Sequence, residues 1–182
     1  MSILEPADAA RTIATVADAT LASFVETHYP RLIRLAGLVC DDHALAQDAV
    51  QAGLERAWSK RASLHDPDRL QAWVDRIVVR EAIRASRTKR SWLSRLFPPV
   101  WEIESEVVDL RRPSAPDDEW LDLRVAFQRL SPDQRAVVAL HLYQGYSIAE
   151  TADLVGAPIE TVRSRLRLAR ERLRAAAEEA PR

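Results

Sequence analysis

Between Tyr146 and Leu166 the chain reads YSIAETADLVGAPIETVRSRL, and this stretch constrains the fold more than any other. The pattern predicts a short helix from Ser147 to Val155, a turn at Gly156 and a second helix beginning near Pro158. Gly156 suits the left-handed conformation that closes a helix, and Pro158 suits the first turn of the next. Ala149, Ala152, Leu154, Ile159, Val162 and Leu166 are the expected small core that fixes the two helices at one angle. That is the form of a helix-turn-helix, in which the outward residues at the start of the second helix stand where base edges are read.

The second of these helices continues as TVRSRLRLARERLR, with six arginines in fourteen positions. Arg163, Arg167, Arg170 and Arg174 recur at steps of four, three and four, and Val162, Leu166, Ala169 and Leu173 follow the same rhythm one face over. A buried stripe therefore runs beside a basic one. Glu160, Thr161, Ser164 and Arg165 project near the helix start and are candidates for base edges: a glutamate accepts from cytosine N4, and an arginine pairs with guanine bidentately. Arg163, Arg167 and Arg170 are better placed to hold phosphates, which fix register and give salt-dependent affinity. Arg172 and Arg174 read as surface cations.

Only four glycines occur in 182 residues, which argues against a turn-rich sheet architecture and for an all-α fold. An N-terminal tail is assigned to residues 1–18. A first helical domain is assigned to 19–91, with one segment over 19–40 that Pro30 kinks or divides, a helix over about 43–60, and a long helix from Pro67. Gly53 inside the second helix costs about 1 kcal/mol against alanine, so a packing reason is expected. Trp58 and Trp73 are read as core residues. On the third helix Arg76, Arg80, Arg84 and Arg87 fall at steps of four, four and three, a second basic ladder in a chain whose net charge is only -1. Two concentrations of positive charge in a neutral chain suggest two contacts with one polyanion.

Residues 92–117 are assigned as a linker and 118–178 as a second domain of four helices. Positions 102–119 hold seven acids against two arginines, a net -5, and prolines at 98, 99, 113 and 116 break any long helix. The apolar residues Trp92, Leu93, Leu96, Phe97 and Trp101 either cap the first domain or dock another protein. Cys40 stands alone in an apolar run and reads as a small core residue that fits a reducing compartment. His28, His43, His65 and His141 have no metal-ligand spacing, so neither metal nor other cofactor is expected. The start MSILEPADAA has no basic region followed by an apolar core, and the longest uncharged run, Ala136 to Ala149, falls short of the ~20 residues a spanning helix needs, so no membrane insertion is expected.

The segment LSPDQRAVVALHLYQGYSIAETADLVGAPIETVRSRLRLARERLR resembles the fourth region of bacterial sigma factors of the small extracytoplasmic-function group. FVETHYPRLIRLAGLV, AQDAVQAGLERAW and LQAWVDRIVVREAIR resemble that group's second region. The resemblance implies a cytoplasmic, dissociable subunit of RNA polymerase in a bacterial stress response, without chemistry of its own, whose partners are core RNA polymerase, promoter DNA and an inhibitory anti-sigma protein. It implies that the second domain reads the minus-thirty-five element through Glu160, Thr161, Arg163, Ser164, Arg165, Arg167 and Arg170. The first domain would open and read the minus-ten element with Arg76, Arg80, Arg84 and Arg87, while Leu64 and His65 wall a pocket for an unstacked base. Asp48, Gln51, Glu55 and Arg56 would dock on the polymerase clamp. The chain departs from the group's common pattern at Gln47 and Ala52, which replace acids, and at Arg80 and Arg84, which make the promoter-facing surface more basic. The acidic linker would either lie in a polymerase channel, where its charge mimics the transcript and growing RNA displaces it, or be an exposed tether with no polymerase contact.

A helix-turn-helix regulator that binds an operator without polymerase accounts equally for the second domain. It leaves the Arg76–Arg87 ladder and the AQDAVQAGLERAW helix without a task. No glycine-rich phosphate loop or nucleophile–base set supports an enzyme.

Overall fold

The computed structural model describes residues 6–64, 66–96 and 118–179. His65, Phe97 to Trp101 and the acidic stretch through Asp117 lie outside the described residues, and with them the readings of a base pocket at His65 and of a linker that threads polymerase.

Three helices build the first unit: α1 (Pro6–Cys40), α2 (His43–Lys60) and α3 (Leu70–Leu96). Helix α1 begins at Pro6, well inside the stretch assigned to a tail, and passes through Pro30 as one element. Pro30 cannot donate to the carbonyl of Glu26, but both residues are exposed and water can take that acceptor. Helix α2 starts at Asp42, whose carboxylate accepts from the Leu45 amide at 2.9 Å and so satisfies one free N–H of the first turn. Leu32, Leu35, Val39, Ala46, Val50, Ala57, Val74, Val78, Val79 and Ala82 are fully buried between the three helices. Gly53 explains their closeness: a Cβ there would stand 3.0 Å from Val78 Cγ2 and 3.1 Å from Val78 Cα. The packing reason expected for this glycine is the approach of the α3 backbone.

Trp73 is buried as expected, but Trp58 is 44% exposed. The buried positions of α2 are 46, 49, 50, 53 and 57, and Trp58 lies one residue past Ala57, a rotation of about 100° out of the stripe. Its ring instead lies under the Arg61 guanidinium at 5.2 Å, a cation–π contact.

The second unit contains α4 (Asp118–Gln128), α5 (Pro132–Val138) running into a π-helical turn (Ala139–Tyr143), α6 (Ile148–Val155) and α7 (Ile159–Glu179). Reciprocal side-chain and backbone bonds cap α5 through Ser131 and Gln134 and cap α6 through Ser147 and Glu150. Glu150 is held below the usual carboxylate range by the Ser147 hydroxyl and amide. Leu130, Val137, Val138, Ala152, Val162, Leu166 and Ala169 form the core of this unit.

The two units are packed on each other. Ala136, Ala139, Leu140 and Leu154 of the second unit belong to the first unit's core cluster, with Tyr146 and Val155 packed against it. Burying Leu140 and Leu154 there stabilises the contact by about 1.5–3 kcal/mol each. Helix α5 is accordingly buried nearly all round, from Pro132 to Val138 except at Asp133. A reading of two helical domains joined by a linker gives the composition of each unit but not this contact.

Candidate nucleic-acid interface

The helix-turn-helix has the bounds the sequence predicts, since Gly156 closes α6 at φ 73° and its amide bonds to Ala152 O. Its core differs in two places. Ala149 is exposed and Ile159 is 43% exposed, whereas Thr151 is fully buried. Ile159 is the first residue of α7, a turn short of the level where α5 and α6 cover the Val162, Leu166 and Ala169 stripe.

On the opposite side of α7, Glu160, Arg163, Ser164, Arg167 and Arg170 are exposed and Thr161 is half-buried. Arg163 bonds to Glu160 at 2.5 Å and Arg167 to Glu171 at 2.9 Å, each within the helix. Such exposed pairs are worth little and exchange readily for a phosphate. Arg165 is different: it is half-buried and its Nη2 lies 3.1 Å from Asp133 Oδ1 on α5.

The ladder on α3 also divides. Arg76 and Arg84 are exposed, with Arg84 only 3.9 Å from the buried Glu81 that pairs with Arg56 of α2. Arg80 turns to the second unit, where Nε donates to Leu154 O at 2.9 Å and Nη2 to Asp153 O at 2.8 Å, taking two carbonyls at the C-terminal end of α6. Arg87 forks onto Asp133 with Nε–Oδ2 3.1 Å and Nη2–Oδ1 2.7 Å. Asp133 thus accepts from both ladders. On α2, Asp48, Gln51 and Glu55 are exposed, with Gln51 donating to Glu55, and Arg56 is half-buried. Leu64 is half-buried and packs on the first core.

Sequence reasoning missed the polar seam between the units. Asp75, fully buried on α3, accepts from Arg31 at 2.6 and 2.9 Å and from the Tyr146 hydroxyl at 2.8 Å. Arg31 also donates to Gln144. Burial opposes the charge on Arg31, but the bond and charge of Asp75 outweigh it and hold its pKa above the ordinary value. Burial, followed by the same carboxylate, pushes the Tyr146 phenol up, so it remains a donor. Arg135, buried on α5, donates to Val39 O at 2.9 Å and Gln128 O at 3.0 Å, and Gln128 donates to Asp41. The one available sign was an acid, Asp75, inside the apolar run WVDRIVV. Among the described residues no group of histidine, cysteine and acidic side chains could hold a metal ion, and no helix is long and apolar enough to cross a membrane.

Residues 24–92 match the sigma-70 region 2 model and residues 120–173 the sigma-70 region 4 model. The ECF RNA polymerase sigma factor SigM of Mycobacterium tuberculosis is 30% identical over 146 residues, covering 80% of this chain and 71% of SigM. The chain is an extracytoplasmic-function sigma factor. The RNA polymerase sigma-E factor of Streptomyces coelicolor is 28% identical over 160 residues, 83% of this chain and 82% of that relative. Among solved structures, the sigma factor RpoE in complex with the anti-sigma factor NepR from Bartonella quintana superposes with TM-score 0.68 at 28% identity, covering 88% of this chain and 98% of that one. CnrH, solved with the cytosolic domain of CnrY, shares the fold at TM-score 0.60 and 22% identity. A sigma factor binds core RNA polymerase and promoter DNA and directs promoter-specific initiation, and the presence of region 2 beside region 4 does not favour an operator-binding regulator.

Proposed function

We propose that α7 reads the upstream promoter element with Glu160, Thr161, Ser164 and Arg165 near base edges and Arg163, Arg167 and Arg170 on phosphates. The observation that carries this reading is the exposed basic face of α7, held at a fixed angle by the Gly156 turn and the Val162, Leu166 and Ala169 stripe. In the first unit Arg76, Arg80, Arg84 and Arg87 hold the backbone of the minus-ten region, with Leu64 and His65 beside the unstacked base. The exposed Asp48, Gln51 and Glu55, with Arg56, dock on the polymerase clamp. The chain supplies recognition and polymerase supplies the active site, so the sigma factor is not itself an enzyme. It acts in the cytoplasm and is held in check by an anti-sigma protein, a reading supported by the complex of RpoE with the anti-sigma factor NepR.

The test is transcription in vitro with purified core polymerase on promoters selected by the holoenzyme. Arg170→Ala should weaken all upstream sequences alike and lower the salt dependence by about one unit. Glu160→Ala should relax base preference, by about 1–3 kcal/mol at the contacted pair. Initiation that is no more selective with the chain than with core alone would refute the reading, and equal losses on matched and mismatched elements would remove Glu160 from base readout.

A further inference from the structure

Where the C-terminal end of α1 meets α3 and the start of α5, the packing leaves a cavity of about 370 Å³, within the range of volumes that hold small ligands. Four cations line it, Lys89 and Arg90 of α3, Arg129 of the α4–α5 connection and Arg135 of α5, against one carboxylate, Asp41. Lys89 is neutralised by Asp42 at 2.5 Å. Arg90, Arg129 and Arg135 therefore share Asp41 alone, three positive charges against one negative.

Arg135 is only 7% exposed, and two of its nitrogens are taken, Nε by Val39 O at 2.9 Å and Nη1 by Gln128 O at 3.0 Å. Neither carbonyl carries a full charge, and Asp41 Oδ2 stands 3.9 Å away. Burial, reinforced by the charge of Arg90, outweighs Asp41 and holds the Arg135 pKa below its ordinary value, as expected of a cation short of negative charge. The side chains of Arg90 and Arg129 are exposed and have no hydrogen-bond or ion-pair partner among the described residues. Leu45, Leu130 and Pro132 supply an apolar wall to the same cavity. None of these residues belongs to the sets assigned to promoter DNA or to the polymerase clamp.

We propose that this cavity is a binding site for a small phosphate monoester. Such a group carries a charge of about -1.5 to -2 at neutral pH, which is what the three arginines and Asp41 leave uncompensated. Guanidinium groups grip its oxygens through paired N–H donors. A carboxylate would leave one positive charge over. The cavity is roomier than a bare phosphate requires, and the Leu45, Leu130 and Pro132 wall receives the organic body of the ester. Nucleic acid fits less well, because the backbone of a duplex cannot bring a phosphate down to a guanidinium that is more than nine-tenths buried, whereas a free monoester can enter beside it.

The experiment titrates the full chain with phenyl phosphate, followed by calorimetry and by amide chemical shifts of isotope-labelled protein. One saturable site is expected, with the largest shifts at Cys40, Ser86, Arg90, Arg129 and Arg135. Benzoate, which has the same ring and a single charge, should bind at least about fivefold more weakly. Arg90→Gln and Arg129→Gln, both at exposed positions that folding tolerates, should each weaken phenyl phosphate by at least about fivefold. Arg170→Gln, on the open face of α7, should leave its affinity unchanged, which separates the cavity from phosphate binding by any basic face. The site is overturned if the folded wild type shows no saturable binding up to about 10 mM, or if benzoate binds equally well. It is overturned equally if the shifts fall on α7, or if Arg90→Gln and Arg129→Gln bind as the wild type does.

Discussion

Replacing Asp75 by alanine should be the most damaging single change in the polar seam. The carboxylate is fully buried and accepts three bonds, two from Arg31 and one from Tyr146. Its removal leaves the Arg31 guanidinium, whose Nε already has no partner, and the Tyr146 hydroxyl without their acceptor. Breaking a buried pair by deleting one partner costs about 3–5 kcal/mol. Arg31 retains 17% side-chain exposure and its bond to Gln144, which places the loss at the low end, about 3 kcal/mol. For a chain of this size each kcal/mol lowers the melting temperature by about 2–4 °C, so a fall of about 6–12 °C is expected by circular dichroism at 222 nm. Tyr146→Phe should cost about 1.5 kcal/mol. Because both changes act on one carboxylate, the double variant should lose less than the sum, with a coupling of at least about 0.5 kcal/mol. A loss below about 1 kcal/mol for Asp75→Ala, or strict additivity with Tyr146→Phe, would show that the seam does not join the units energetically.

Gly156→Ala places a Cβ at φ 73° and 2.8 Å from Arg80 Nη2; it should cost about 1–3 kcal/mol in urea unfolding, and a loss under about 0.5 kcal/mol would mean the turn relaxes freely. Gly53→Val drives two methyl groups against the α3 backbone at Val78, for about 1–3 kcal/mol from overpacking, and an unchanged urea midpoint would contradict the close approach. Asp42 is held below its ordinary value of 3.8 by the Leu45 amide and then by Lys89. An acid whose folded pKa is depressed adds stability that is complete above its unfolded value and is lost as pH falls through the folded one. Asp42→Asn should therefore cost about 0.5 kcal/mol at neutral pH, discounted for the half-exposed Lys89, and nothing in strong acid; a difference that persists there would assign the effect to something other than charge.

The parts of the fold legible in sequence are those decided within one or two helical turns. The Gly156 turn, the Pro158 start, the Val162–Leu166–Ala169 stripe and the bounds of α2 all follow from local conformational preference and from the 3.6-residue period. The union of the two units was not legible, because its contacts join residues far apart in the chain, such as Arg87 with Asp133 or Arg31 with Asp75, and carry no period. The arginine ladders illustrate the limit. Steps of three and four fix which residues share a face, but the same spacing serves a face turned to phosphate, to water or to another helix's carbonyls. Arg163, Arg170 and Arg80 are all exposed, yet Arg80 alone of the three is bonded to the carbonyls of another helix, and nothing in their spacing separates them. Trp58 failed for a related reason: a large apolar side chain at a helix end has as its alternative to the core a neighbouring cation, here Arg61.

Cys40 gives the molecule a chemical clock. Its thiol lies between α1 and α3, donates weakly to Ala82 O at 3.7 Å, and burial pushes its pKa up to about 11. Since only the thiolate attacks alkylating reagents, modification of native protein at neutral pH has to wait until the thiol is uncovered, and its cover comes from both units, because Cys40 lines one cavity with Ser86 of α3 and with Gln128, Leu130 and Arg135 of the second unit. The rate at which this single site is consumed therefore records the free energy of opening that cover, whether the three-helix unit loosens or the two units part. Measured with and without core polymerase, it would report how far binding of polymerase loosens that cover.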